Sequence, residues 1–589
     1  MNTDPPAPIA IENLRLRYPE TGRVVLHGVN MRLGRGEVKL LLGPSGVGKS
    51  SLALTLNGLI PLQMDGEIKG TVVVNGRPTL EAGVPWLTSR VGILFQDPEA
   101  QIATLTVGDE VAFGLENLLV PPGEMPARTA EALERVGLQG MESRSTDALS
   151  GGQKQRLALA STLAMGVTTL VFDEPTANLD PAGTAEVFAL LAELKAEGAA
   201  ILVIEHKLDQ LISEVDSIDV LDWTGTMATS GPPRDVLEGH AGLLADLGVW
   251  VPQVSELANA LRREGLELDP YPVTIDEAAA ALDKLLGSRP PVVQRAAVAA
   301  ENPGSGVAAA EVSGLSYQYP DGNVALREAS LSVAEGDFYA ILGPNGSGKT
   351  TLARHLIGLL KAQEGTVRVL GEDVGRIPAR ELNSRVGYVF QNPEHQFVTL
   401  NVYDELSFSL RARKLPEDEV KRRVEALLAE FGLEEHRGAN PFSLSQGQKR
   451  RLSVATMLAL DPRVLILDEP TFGQDRLNTT RIMEQLCALN RRGVTIIIIT
   501  HDMKLVAEYA NRVGVLVEGR VEFEGPTREL YADPDLLWRA NLEAPPLFEV
   551  SCMLRERHPD FPLLMTVSEF KEEICALSGI CRETASSTA

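Results

Sequence analysis

The chain runs to 589 residues, long enough for several domains, since one core rarely serves more than about 250 to 300 residues. Its 55 basic and 80 acidic residues leave a formal net charge of −25, which argues against a surface built to clamp nucleic acid phosphates and against adsorption to anionic lipid. No apolar run approaches the roughly 18 residues that cross a bilayer, so a cytosolic chain is expected, and any membrane role would have to come through a partner.

In chain order, the apolar segment Val38–Leu42 reads as a strand. It runs into GPSGVGKS, made of Gly43, Pro44, Ser45, Gly46, Val47, Gly48, Lys49 and Ser50, and then into SLALTLNGL, a helix beginning at Ser51. The pattern is that of a phosphate-binding loop. Glycines let the backbone aim N–H groups at a phosphate, the following helix offers its positive end, the lysine adds a charge, and the hydroxyl can ligate Mg²⁺. Further along come Gln96 in ILFQDPEAQ, then LSGGQ (Ser150, Gly151, Gly152, Gln153) ahead of a helical pattern, Asp173 and Glu174 closing the strand-like LVFDE, and His206 closing LVIEH.

The whole series then recurs. A strand Phe338–Leu342 leads into GPNGSGKT, formed by Gly343, Pro344, Asn345, Gly346, Ser347, Gly348, Lys349 and Thr350, followed by a helix from Thr351. After it stand Gln391, LSQGQ with Ser445, Gly447 and Gln448, the pair Asp468 and Glu469, and His501. In both halves 54 residues separate the glutamine from the serine, 24 the serine from the glutamate, and 32 the glutamate from the histidine. Equal intervals are what a duplicated fold requires, because each spans the same helices and strands.

The residue types carry chemistry. Asp173 and Asp468, at the ends of apolar strands, suit Mg²⁺, and each following glutamate projects to where an attacking water would sit, as a general base. The histidines end strands at the sheet edge where ligands of open α/β sheets collect, suited to polarising a γ-phosphate, although a structural histidine would read the same. Ser150 and Ser445 stand as helix N-caps; each such helix start is a further anion site, and its phosphate must come from elsewhere. The four cysteines, Cys487, Cys552, Cys575 and Cys581, lack metal or CxxC spacing and read as reduced thiols.

Phosphate loop, glutamine loop, LSGGQ, LVFDEP and terminal histidine together resemble the motif set of ATP-binding cassette (ABC) ATPases. That resemblance implies an α/β fold of two tandem P-loop ATPase domains, each with an α-helical subdomain and a small C-terminal appendage. It implies two ATP–Mg²⁺ sites sandwiched between the domains as an intramolecular pseudo-dimer. One would join Lys49, Glu174 and His206 to Ser445 and Gly447; the other would join Lys349, Glu469 and His501 to Ser150, Gly151 and Gly152. Ser50, Gln96 and Asp173, and Thr350, Gln391 and Asp468, would then face the metal. Tyr18 and Tyr319 match the aromatic that stacks on adenine, a packed tyrosine being the alternative.

The stretches around FQDPEAQ and FQNPEHQ resemble energy-coupling factor and cobalt-type importer ATPases. This likeness implies a subunit on the cytoplasmic face of the cell membrane, coupling hydrolysis to uptake of a vitamin, vitamin precursor or transition metal ion. Its partners would be a transmembrane scaffold subunit and a membrane substrate-binding subunit, with no nucleic acid. The acidic set Glu99, Asp109, Glu110, Glu394, Asp404 and Glu405 is expected to receive arginines from the scaffold or to be solvated. Gln446 and Gln474 depart from the family pattern, as LSQGQ and FGQD against LSGGQ and ANLD (177–180), so two competent sites of unequal rate are expected.

Composition places the boundaries at 9–247 and 311–539 for the cassettes, 248–286 and 540–580 for their appendages, 287–310 for a Pro- and Ala-rich flexible linker and 581–589 for a disordered tail. The competing reading is a soluble twin cassette acting on ribosomes or RNA. That class carries a long basic linker and a basic face, which this acidic chain lacks. Coiled coil or zinc modules of DNA-repair cassettes do not fit the intervals, and the intact second loop sets the chain apart from sugar-importer twins.

Overall fold

The computed structural model describes residues 7–20, 22–177, 179–287 and 308–578. It divides into two compact units, residues 1–291 with 552–561 and 571–589, and residues 292–551 with 562–570. Asn178, nearly all of the expected linker, Cys581 and the tail lie outside the described residues.

In the first unit the core sheet has six strands in the order Met227–Gly231, Ser217–Leu221, Val38–Leu42, Ala200–Ile204, Thr169–Asp173, Val91–Leu94. All neighbours are parallel except the first pair. Strands such as LVF and AILVI are apolar throughout because a parallel sheet is covered on both faces, and every residue of Thr169–Asp173 and Ala200–Ile204 is buried. A second, antiparallel sheet orders Val24–Leu33, Ile9–Arg17, Glu67–Val74 and Arg77–Pro78. Its alternating inward residues, Ile9, Ile11, Leu14 and Leu16 among them, join the sheet residues Leu41, Val171 and Leu202 in one apolar cluster. The helices Val107–Asn117, Met125–Arg135 and Gly151–Ala164 form the helical portion.

The second unit repeats the plan. Its core sheet runs Val386–Val389, Val464–Asp468, Thr495–Ile499, Phe338–Leu342, Arg512–Val517, Arg520–Pro526, with only the last pair antiparallel. The helices Val402–Ala412, Glu417–Phe431 and Gln446–Leu458 bury Val402, Leu406 and Leu410 against Val420, Val424, Leu428 and Leu452, the three-to-four spacing of amphipathic helices. Each unit thus matches the α/β ATPase architecture implied by the motifs, and the strands that end in the phosphate loops, the aspartates and the histidines are parallel and buried.

Two boundaries shift slightly. The second unit's first strand begins at Ala308, inside the expected linker, and the helix Ile275–Gly287 ends one residue past the expected appendage. The helices Gln253–Arg263, Ile275–Gly287, Pro546–Arg557 and Val567–Leu577 fall in the stretches expected as appendages, although residues 552–561 and 571–589 of the second stretch cluster with the first unit. Among the described residues no helix is long and apolar enough to cross a membrane.

Candidate functional site

Each phosphate loop lies between a buried strand and an eight-residue helix, Lys49–Leu56 or Lys349–Leu356, whose start carries no side-chain cap. The open N-terminal N–H groups therefore face the loop, the arrangement that attracts phosphate. Glycine is needed where the loop leaves the strand: Gly343 has φ +136, and a Cβ there would sit 2.0 Å from the Leu516 carbonyl oxygen, with Gly43 (φ +150) meeting the Leu221 oxygen at 2.8 Å. Lys49 Nζ donates to the carbonyls of Gly43 (2.8 Å) and Pro44 (2.9 Å), and Lys349 Nζ to those of Gly343 and Pro344, both at 2.8 Å. Both ammonium groups are thereby held against their loops. Val47 and Ser347 are buried inside the turns.

The aspartate–glutamate pairs end their strands as expected. Thr350 Oγ1 donates to Asp468 Oδ2 at 2.9 Å, and Ser50 makes the corresponding hydrogen bond to Asp173. A hydroxyl beside a carboxylate is a hard-oxygen donor set that suits Mg²⁺, the remaining positions going to phosphate and water; Ser50 with Asp173 and Thr350 with Asp468 would hold the ion, which would neutralise phosphate charge. Burial pushes the Asp173 carboxyl up to about 6, against the Ser50 hydrogen bond, and also raises Asp468. An ionised carboxylate in such a place calls for a cation.

Glu174 and Glu469 adopt left-handed backbone conformations, φ 51° and 47°, costly for residues with a Cβ. The turn lets each glutamate N–H donate to the neighbouring strand end, Ile204 or Ile499, both at 2.8 Å. Each carboxylate then meets the terminal histidine, His206 Nε2 at 3.3 Å and His501 Nδ1 at 2.8 Å. Burial alone would raise the Glu174 carboxyl, but the hydrogen bond and charge of His206, with Lys49 and Gln96, hold it below its ordinary value. Glu174 is therefore ionised and able to accept a proton from water. Gln96, expected on the metal, donates its amide N–H to Glu174 Oε2 at 2.7 Å.

In the second unit these residues line one cleft of about 230 Å³, with Tyr319, Asn345, Lys349, Thr350, Gln391, Asp468 and Glu469 in its wall. Tyr319 and Thr351 share a hydrogen bond at 3.1 Å, as Tyr18 and Ser51 do at 2.9 Å, which fixes each tyrosine over the start of its phosphate-loop helix. Ser150 and Ser445 are N-caps, as read from sequence. Each forms a reciprocal capping box, in which the serine accepts from the backbone N–H of Gln153 or Gln448 and the glutamine side chain accepts from the serine N–H. Gly447 is buried, and a Cβ there would lie 2.7 Å from Asn478 Nδ2 and 3.0 Å from Gln474 Oε1, so both amide side chains would have to move aside.

One expectation is overturned. Glu110 and Glu405 are each only 5% exposed. They brace their own loops: Glu110 accepts from the N–H groups of Ala103 and Thr104, and Glu405 from those of Val398 and Thr399. Burying a carboxylate requires such donors, so neither side chain is presented to a partner. Glu99 and Glu394 are paired with Lys154 (2.5 Å) and Lys449 (2.6 Å) of their own units.

Sequence reasoning also missed two groups. Arg450, 2% exposed, donates to the carbonyls of Phe390 (2.7 Å) and Gln391 (2.5 Å), tying the LSQGQ helix to the glutamine loop. Tyr388 donates to Asp468 Oδ2 at 3.0 Å. Aligning the halves residue by residue would have flagged both, since Gln155 and Ile93 stand at the matching places.

The sequence pattern of the ABC transporter family, ABC_tran, matches residues 26–177 and 326–472. A Methanosarcina acetivorans protein provisionally named an ABC transporter ATP-binding protein is 38% identical over 590 residues, covering 98% of this chain and 95% of its own. A Bacillus subtilis protein provisionally named HMP/thiamine import ATP-binding protein YkoD is 39% identical over 544 residues, 92% of this chain and 96% of its own. Among solved structures, cbiO1 from Clostridium perfringens, described as part of the ABC transporter complex cbiONQ, is 37% identical and covers 40% of this chain and 94% of its own, at a TM-score of 0.36. The chain belongs to the ABC transporter family as an ATP-binding protein, an ATPase with two repeated domains in one polypeptide.

Proposed function

We propose that this ATPase is the energising subunit of an energy-coupling factor type importer, hydrolysing ATP at two composite sites to drive uptake of a vitamin, vitamin precursor or transition metal ion through membrane subunits. The observation that carries the reading is that both units keep the full set: loop lysine, hydroxyl–aspartate pair, and a glutamate on the terminal histidine. In this reading Glu174 and Glu469 take the proton of the attacking water, His206 and His501 orient them, and Ser150 or Ser445 supplies the other unit's site with its helix start. Tyr18 and Tyr319 bear on the adenine.

Import is supported by the likeness to YkoD, whose name gives HMP/thiamine as cargo. A membrane partner is supported by apolar side chains left exposed around the matching helices, Leu105 (78%) and Phe113 (46%) in the first unit and Leu400 (78%) and Phe408 (52%) in the second. The net charge of −25 disfavours the RNA alternative.

Paired variants test the composite arrangement in the full chain together with its membrane subunits. Ser445→Arg with Glu174→Gln strikes one composite site twice and should leave substantial ATPase activity and uptake of labelled HMP, thiamine or cobalt. Ser445→Arg with Glu469→Gln strikes both and should abolish them. The reverse pattern would show that each unit completes its own site, and uptake indifferent to every variant would refute the import role.

A further inference from the structure

The two nucleotide sites differ in one buried group that touches the metal-side carboxylate. Tyr388 lies on the strand Val386–Val389, paired in parallel with Val464–Asp468 so that it faces Ile466, two residues before Asp468. From there its hydroxyl reaches Asp468 Oδ2 at 3.0 Å, the same oxygen that Thr350 Oγ1 reaches at 2.9 Å. The phenol is only 6% exposed, and its ring is fixed edge-on against Phe390, centroids 4.7 Å apart. Phe390 is in turn held through its carbonyl by the buried Arg450 guanidinium. The hydroxyl is thus placed by packing on every side, and a buried hydrogen bond to a carboxylate is among the stronger ones.

In the first unit the same register places Ile93 opposite Val171, two residues before Asp173. A hydrocarbon there donates nothing, and Asp173 takes a side-chain hydrogen bond from Ser50 without a phenol beside it.

We propose that Tyr388 is a positioning residue of the second nucleotide site, orienting Asp468 for Mg²⁺–ATP, and that the first site, with Ile93 in its place, lacks this support. The proposal rests on the reading of Asp468 as the carboxylate that holds Mg²⁺. Tyr388 acts through Asp468: its proton is committed to the carboxylate oxygen, so it does not itself ligate the ion. The consequence is a built-in asymmetry. In the second site Thr350 and Tyr388 both hold the carboxylate before nucleotide arrives, whereas in the first Asp173 has the Ser50 hydroxyl without the phenol, and preorganisation of this kind appears as affinity.

The test is equilibrium binding of a fluorescent ATP analogue to the full chain, in Mg²⁺ and in EDTA. Lys49→Ala leaves the second site to report, and Lys349→Ala the first. In the Lys49→Ala background, Tyr388→Phe keeps the ring and its packing; it should shrink the Mg²⁺ enhancement of binding about tenfold, the size of one charge-assisted hydrogen bond, with affinity in EDTA unchanged. In the Lys349→Ala background the same substitution should change neither value. An undiminished Mg²⁺ enhancement, an equal loss in EDTA, or an equal effect on the first site would overturn the assignment. Asp468→Asn separates the two levels of inference. If that variant keeps the Mg²⁺ enhancement, the metal-site reading fails and takes the proposal with it; if it abolishes the enhancement while Tyr388→Phe does not, the role of Tyr388 alone is refuted.

Discussion

Replacing Asp173 with asparagine should make the nucleotide-free protein more stable, although it removes the carboxylate proposed to hold Mg²⁺. Asp173 is 6% exposed, and burial lifts its carboxyl from the ordinary 3.8 to about 6. At about 1.4 kcal/mol per pH unit, the ionised form costs the folded state up to about 3 kcal/mol. The sign follows from linkage. Because the folded value is raised, the folded protein keeps its proton where the unfolded chain has lost it, so this group's contribution is full below pH 3.8, falls as pH rises through about 6, and is flat above. Asparagine has no such dependence and its amide oxygen can still accept from Ser50. For a domain of this size about 1 kcal/mol corresponds to roughly 2–4 °C, so in EDTA at pH 7.5 Asp173→Asn should raise the first thermal transition by several degrees, and at pH 4.5 by about a third as much. Excess Mg²⁺–ATP should reverse the order, because only the carboxylate gains from the cation. Calorimetry on the full chain, wild type and variant side by side, measures all three conditions. A variant no more stable than wild type at pH 7.5, or a gain equal at both pH values, would refute the assignment of a carboxylate whose burial outweighs its hydrogen bond and neighbouring charges.

Two further substitutions exploit differences between the halves. Gly343→Ala places a Cβ 2.0 Å from the Leu516 oxygen, against 2.8 Å from the Leu221 oxygen for Gly43→Ala; nucleotide titration should therefore show second-site affinity falling by more than about tenfold in the former and first-site affinity falling by less in the latter, backbone strain of this kind costing on the order of 1–3 kcal/mol. Arg450→Met leaves the Phe390 and Gln391 carbonyls without their donor and should destabilise the second unit by about 2–5 kcal/mol in urea unfolding. At the matching place Gln155 is buried with neither amide atom hydrogen-bonded, so Gln155→Met should cost nothing or stabilise by about 1 kcal/mol.

What the chain alone determined is the twice-written inventory. Phosphate loops, capped LSGGQ and LSQGQ helices and strand-ending carboxylates are each local, strand–turn–helix chemistry encoded in a few consecutive residues, and equal intervals carried the plan from one half to the other. Ser150 and Ser445 were recognisable as caps because a strongly helical pattern follows each within a few residues. The tertiary structure decided what depends on residues distant in sequence. It turned Glu110 and Glu405 from candidate docking charges into loop braces, because the donors they satisfy are backbone groups whose positions only packing sets. It set Glu174 and Glu469 at positive φ, since the strand ends Ile204 and Ile499 claim their N–H groups. It brought Tyr388 to Asp468 across 80 residues of chain. A side chain's type is written in the sequence, whereas which oxygen it reaches is fixed by the register of strands that meet only when the sheet forms.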